Sequence, residues 1–149
     1  MAVADLDWDY PDAFHIELTV GEQDIDGLDH TNNAIYVQWC ERAAWAHSVS
    51  LGLDLACYQR LDRAMAITRS EFDYLAASHL GDKLAVATWI LTWDGRLTME
   101  RRFQVIRPAD GATLLRGRMK FACIEISSGR PRRLPPEFVE GYGAVIIEP

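Results

Sequence analysis

Phe14, Ile16, Leu18 and Val20 alternate with His15, Glu17 and Thr19, the period of two that marks a half-buried strand. A polar, turn-rich stretch, 21–33, comes next. The period then changes: 34–51 contains neither Pro nor Gly and sets Tyr36, Trp39, Cys40 and Ala43 at helical spacing, which predicts a helix of about five turns. Ile35, Val37, Ala44, Ala46 and Val49 add apolar positions around it, so only Gln38, Glu41, Arg42 and His47 break its surface and it is expected to be enclosed by the fold. Gly52 is placed to end it in a left-handed turn.

Four strands are predicted beyond the helix, over 64–75, 83–93, 97–107 and 113–127, separated by Gly81-Asp82, Asp94-Gly95 and Asp110-Gly111. Such Gly/Asp pairs are hairpin turns, so the sheet is antiparallel. In the last strand Leu115, Met119, Phe121 and Cys123 fall on one face, toward the helix, and Arg116, Arg118 and Lys120 on the other. One long helix with about five strands wrapped around it is an α+β domain. Trp89, Leu91 and Trp93 alternate as though the outer sheet face were also apolar, and that face is expected to be covered by a second copy. The Pro- and Arg-rich stretch 129–136 reads as a linker.

At 149 residues, 49% hydrophobic and 25% charged, the chain has the size and balance of a single domain, 1–149. A net charge of -7 repels a phosphate backbone and argues against nucleic acid as a partner. The opening 1–14 is acidic without a basic residue, unlike a secretory leader. The longest apolar run, 84–93, includes two Thr and falls well short of the ~20 residues that cross a bilayer, so no membrane is expected. Three cysteines, Cys40, Cys57 and Cys123, form no C-x-x-C pair; neither a disulfide framework nor a metal site is expected, and a cytoplasmic location fits.

Chemistry concentrates just before the helix. Asp24, Asp26, Asp29 and His30 lie within seven residues. An EF-hand loop counted from Asp24 would need an oxygen ligand at Leu28, Gly at Asp29 and Glu at Ile35, so calcium does not fit. Asp24, Asp29 and Asn32 are residue types that also satisfy turns and helix caps.

The string D-I-D-G-L-D-H-T-N-N-A-I-Y-V-Q-W-C-E-R-A, Asp24 to Ala43, resembles the D-x-D-x-x-G-H-V-N-N-x-x-Y-x-x-x-x-E-x-A signature of the hotdog-fold acyl-CoA thioesterases of the 4-hydroxybenzoyl-CoA thioesterase family. The stretch from Phe72 to Leu84 is similar to that family's Y-L-x-P-A-x-x-G-D-x-L, and R-P-R-R-L-P-P at Arg130 to Pro136 adds support. Two positions depart: Asp29 stands where Gly is usual and Ala77 where Pro is usual. Asp tolerates a positive φ better than most residues, and the missing Pro alters only local rigidity.

The resemblance implies a hotdog fold and hydrolysis of an acyl-CoA or acyl-carrier-protein thioester, with coenzyme A as part of the substrate and no separate cofactor. A thiolate leaves readily, so the reaction needs a polarised carbonyl and a positioned nucleophile. The Asn33 N–H at the helix start, with the helix dipole behind it, suits an oxyanion, where one donor contributes ~3 kcal/mol. Asp26 matches the catalytic carboxylate, as nucleophile or as general base. Glu41, mid-helix, is the second candidate base, and it has the alternative of pairing with Arg42 or Arg69. His30 is a candidate for orienting Asp26 or substrate, or for hydrogen-bonding its own turn. Tyr36 is a candidate pocket wall. Arg130, Arg132 and Arg133, or else Arg116, Arg118 and Lys120, are candidates for the coenzyme A phosphates. A homodimer or homotetramer is expected. Two other activities are compatible with the fold: an acyl-thioester hydratase or dehydratase using His30 with Asp26, and a non-catalytic acyl-CoA-binding module.

Overall fold

The computed structural model describes residues 2–148, so the ends of the expected 1–149 domain, residues 1 and 149, lie outside it. Strand β1 (Phe14–Thr19) leads into helix α1 (Asn33–Ser50) and a short helix α2 (Leu55–Leu61). Strands β2 (Arg63–Tyr74), β3 (Lys83–Trp93), β4 (Thr98–Arg107) and β5 (Ala112–Glu125) follow, and helix α3 (Pro136–Gly143) closes the order. The strands form one sheet in the order β1-β3-β4-β5-β2, every pair antiparallel. The expected α+β architecture is therefore present. The helices α2 and α3 add to it, the second following the expected linker 129–136 and starting at its last residue.

Helix α1 starts where Asn32 turns its side-chain oxygen back to the Ala34 N–H, 3.0 Å away, satisfying one of the donors a helix start leaves open. It ends at Leu51, and Gly52 takes φ +79. Tyr36, Trp39, Cys40, Ala43 and His47 form its buried stripe, spaced so that one face meets the sheet. The opposite face is open: Trp45 is 42% exposed and Val49 55%. The helix is thus not enclosed within one chain, because the sheet curls past one side of it only. His47, read as a break in the apolar surface, is instead buried.

The curl comes from register shifts at Ile67/Arg69, Ile90/Thr92 and Val105/Ile106, each adding a residue to one strand and sharpening the local twist. The shift in β3 also separates the tryptophans. Trp89 and Leu91 face outward, whereas Trp93, one position displaced, packs into the helix-side core. The outward pair does not await a second copy. Trp8 and Tyr10 meet the Trp89 ring edge-on, at 6.0 and 5.3 Å between centroids, and Ile147 packs on the same cluster. The segment before β1 is held there by the Trp89 Nε1–H bond to the Pro11 carbonyl (3.0 Å) and by Gln104, which accepts from the Asp9 N–H at 2.9 Å. Burial of each such large apolar side chain contributes on the order of 2 kcal/mol. In β5, Leu115, Met119, Phe121 and Cys123 are buried against the helix-side core, as their alternation predicts. No described helix is long and apolar enough to cross a membrane.

Candidate active site

Strand β2 ends beside the start of α1, where the Tyr74 hydroxyl donates to the Asn33 carbonyl (3.3 Å). Between them and the turn before α1 lies an open cleft of about 480 Å³ lined by Asp26, His30, Asn33, Tyr36 and Tyr74, among others. The turn itself is built around Asp26. Its Oδ1 accepts from the Leu28 N–H (2.8 Å) and the His30 N–H (3.3 Å), and its own N–H donates to the His30 carbonyl (2.8 Å). One carboxylate oxygen is thereby fixed as a turn acceptor, while Oδ2 has no partner among the described residues. Asp29 closes the turn with φ +62, the left-handed conformation that glycine would adopt without strain.

The start of α1 supplies the second element. Asn32 caps the Ala34 N–H and accepts from the Ile35 N–H through its carbonyl. The Asn33 N–H has no acceptor among the described residues. An uncommitted N–H at the positive end of an 18-residue helix is a donor for a developing oxyanion. The same cleft therefore holds a carboxylate oxygen and a helix-start donor.

Beneath it runs a chain of buried hydroxyls. The Tyr36 hydroxyl lies 2.7 Å from Ser78 Oγ, which lies 2.6 Å from Thr31 Oγ1, and the Thr31 N–H donates to the Ser78 carbonyl at 3.0 Å. Tyr36 is 3% exposed and Ser78 fully buried, so these bonds fix the cleft floor to the rim 75–78. Neither Thr31 nor Ser78 had been singled out from sequence. Both lie inside the two motif stretches, and a lone Ser in the second of them was the available signal. The rim is also clamped from outside. Arg107 donates to the Ala77 carbonyl (3.1 Å) and to Asp82 Oδ2 (3.2 Å), with Asp110 holding the guanidinium from the other side. Those acids hold Arg107 above its ordinary range, hydrogen bonding to Asp110 contributing most.

Of the expected site residues, the chain brings Asp26, His30, Asn33 and Tyr36 together. His30 contributes its backbone to the turn, and its exposed ring stands edge-on to His79 at 5.2 Å. Asp24 is a turn-stabiliser, accepting from the Gly21 N–H at 2.9 Å. Glu41 is not in this cleft. It is exposed, eight residues along α1 and so about 12 Å from the helix start, at the edge of a different cavity. Arg132 and Arg133 flank another hollow beside Asp94 and Arg96, at the end of β3 opposite the cleft. Arg132 pairs there with Glu125 at 3.2 Å, and the exposed Arg130 bonds Ser128 through its backbone N–H. Arg116 and Arg118 are committed as well, to Asp9 (2.7 and 2.9 Å) and to Glu71 (2.6 Å).

A second buried polar group lies further along α1. Arg101, 1% exposed, donates to His47 Nδ1 (3.0 Å), Thr88 Oγ1 (3.3 Å) and Ser48 Oγ (3.4 Å). Ser48 in turn lies 2.8 Å from the Tyr142 hydroxyl, which bonds Tyr58. An arginine only donates, so His47 Nδ1 is unprotonated. Burial, with the neighbouring cation second, lowers the His47 pKa to about 4.

The family model described as the Thioesterase-like superfamily matches residues 20–141. The zebrafish (Danio rerio) Protein THEM6 is 32% identical over 89 residues, covering 59% of this chain and 43% of that protein, so the match spans less than half of the relative's length. Among solved structures, a 1,4-dihydroxy-2-naphthoyl-CoA thioesterase from Synechocystis superposes with a TM-score of 0.79 at 21% identity, over 88% of this chain and 96% of that one. A Staphylococcus aureus protein in complex with CoA gives 0.81 at 20% identity, over 90% and 85%. These likenesses carry the hotdog fold that the sequence motifs imply.

Proposed function

Since the chain belongs to the Thioesterase-like superfamily, we propose that it hydrolyses an acyl-CoA or acyl-carrier-protein thioester to a free acid and a thiol at the Asp26–Asn33 cleft. One observation carries this reading: a carboxylate with one oxygen fixed and the other uncommitted shares a cleft with an uncommitted helix-start N–H. The solved relatives whose names specify a CoA thioesterase or bound CoA support the substrate class.

In this mechanism the thioester carbonyl oxygen accepts from the Asn33 N–H, which stabilises the negative charge that develops there. Asp26 Oδ2 either attacks the carbonyl carbon, giving a mixed anhydride that water cleaves, or takes a proton from the attacking water. In both routes the C–S bond breaks, the thiolate leaves and collects a proton, and one water is consumed. The turn bonds to Asp26 Oδ1 keep the carboxylate aimed without reorganisation during the reaction. Tyr36, tied to Ser78, forms the wall against the acyl carbon. The arginines 130, 132 and 133, remote from the cleft along the sheet, reach coenzyme A phosphates only from another copy of the chain. A homo-oligomer is part of the proposal for that reason. The exposed edge of β2 is the surface for it.

The test is single-turnover release of thiol from aromatic, short and long acyl-CoAs by wild type and Asp26→Asn. Expected is a loss of at least ~100-fold in the variant with the fold unchanged. Equal release by both proteins removes Asp26 from its role. Hydration of an enoyl-CoA without thiol release would replace hydrolysis by the hydratase activity.

A further inference from the structure

Arg101 is a cation in the core without a counter-charge. Among the described residues no carboxylate forms an ion pair with it, and its neighbours His47, Thr88, Ser48 and Tyr142 are all neutral partners. Burying a charge that nothing balances is strongly unfavourable. Such a charge is kept where an anion arrives to meet it. Arg101, Ser48, Tyr58 and Tyr142 form the inner wall of a cavity whose exposed rim is Glu41, Trp45 and Ile67. Its volume is about 80 Å³, the liquid share of roughly two to three waters. That admits a carboxylate and little more. The remaining lining is apolar, with Met65, Met99 and Phe121, so the group bearing the anion must be aliphatic.

The cavity lies on the same seam as the cleft. Helix α1 and strand β2 approach each other at two places: Tyr74 reaches Asn33 at the helix start, and Ile67 shares the cavity with Trp45 and Ser48 further along it. From Asn33 to Ser48 the helix rises about 22 Å. A long acyl chain laid along that seam, with its thioester at the helix start, brings its far end to Arg101.

We infer that the Arg101 cavity is a subsite for an aliphatic carboxylate, and that it selects acyl groups carrying a carboxylate at the end remote from the thioester. The selection rests on the hydrolytic reading of the cleft, whereas the binding of a carboxylate does not. Arg101 brings its positive charge and the Nη2 hydrogen not given to Ser48 to that anion, and the Ser48, Tyr58 and Tyr142 hydroxyls complete the polar end of an otherwise apolar slot.

Isothermal titration with octanoate and with 1-octanol tests the site. Octanoate is expected to bind at least tenfold more tightly than the alcohol. Arg101→Met should remove that preference, and Ala44→Phe, which fills the cavity from α1 with Arg101 intact, should abolish binding of both. Asp26→Asn should bind octanoate as wild type does. Turnover supplies the second arm: hexadecanedioyl-CoA should exceed palmitoyl-CoA in kcat/KM by at least tenfold in wild type and not in Arg101→Met. Equal binding of octanoate and 1-octanol overturns the subsite, as does dissociation of an oligomer on Arg101→Met in a wild type that binds neither, which would give the countercharge to a second copy. Arg101-dependent octanoate binding without hydrolysis of any acyl-CoA leaves the subsite standing and refutes the hydrolytic reading. Hydrolysis with no preference between the two acyl-CoAs does the reverse.

Discussion

Lowering the pH from 7 should destabilise this protein through His47 before most of its carboxylates titrate. The imidazole is stacked on Phe14, with centroids 4.7 Å apart, and accepts a hydrogen bond from Arg101. Protonation would place two cations face to face in the core and turn that acceptor into a donor. The native pKa is accordingly lowered from 6.5 to about 4, burial contributing most and Arg101 next. In the unfolded chain the ring takes its proton near 6.5, so between the two values the unfolded state binds more protons and stability falls as the pH falls. At about 1.4 kcal/mol for each pH step, the loss attributable to His47 approaches 3 kcal/mol by pH 4, with none above pH 7. The remaining acids contribute their own slopes, so the measurement is a difference. Urea unfolding, followed by tryptophan fluorescence, is run from pH 7.5 to 4.5 on wild type and on His47→Asn, which retains an acceptor for Arg101 but does not titrate. The stability difference should shift by about 2 kcal/mol in favour of the variant across that window. Parallel profiles would show that the imidazole is no less basic in the fold than outside it, and the account of the Arg101 cluster as an unbalanced cation would lose its support.

Other substitutions probe the site's supports. Ser78→Ala removes the middle hydroxyl of the Tyr36–Ser78–Thr31 chain and should cost about 1–3 kcal/mol, read as a fall in Tm of several degrees; an unchanged Tm would mean those hydroxyls are satisfied otherwise. Gly117→Ala puts a Cβ 2.7 Å from the Phe72 ring and should cost about 1–3 kcal/mol by overpacking, measured by chemical denaturation. Asp29→Gly relieves a left-handed residue at φ +62 and should leave stability within about 1 kcal/mol of wild type, or raise it; a larger loss would show that the Asp29 side chain itself supports the turn. Trp8→Ala uncovers Trp89 and Leu91 and should lower stability by about 3 kcal/mol while increasing light scattering during refolding, and an intact Tm would place the leading segment elsewhere in solution.

Where one residue pattern decided the structure, the sequence was legible. Strand β3 has the bounds its turns predict, and α1 is displaced by a single residue because Asn32, not Asn33, turns out to be the cap. The seven residues of α2 are too few to show a period, although Asp54 caps the Cys57 N–H at 2.9 Å and Asp62 ends the helix in a left-handed turn at φ 54. The start of α3 carried a signal that composition masked: Pro136 occupies its first position, where a missing N–H costs nothing. The outer tryptophans were misassigned for a physical reason, since alternation shows that a face is apolar but not what covers it, and a bulge then moves Trp93 to the other side. That Asp26 and Asn33 share a cleft was legible because one turn and one helix start hold both. That Glu41 and the arginines 132 and 133 line other hollows was not, because their distance from the cleft is set by the length of α1 and of the sheet. Ser78, on the loop after β2, and Arg101, on β4, depend on meeting α1 from far along the chain, which no local pattern records.

The Arg107 clamp changes the character of the cleft's rim. Where the resembling family stiffens that segment with a pyrrolidine ring, this chain has Ala77 and grips its carbonyl with a guanidinium shared between Asp82 and Asp110. A ring's restraint is indifferent to the medium, whereas an ionic grip slackens as counter-ions accumulate or the acids discharge. The stiffness of this rim should therefore depend on the salinity and acidity of its surroundings, where that of a ring would not.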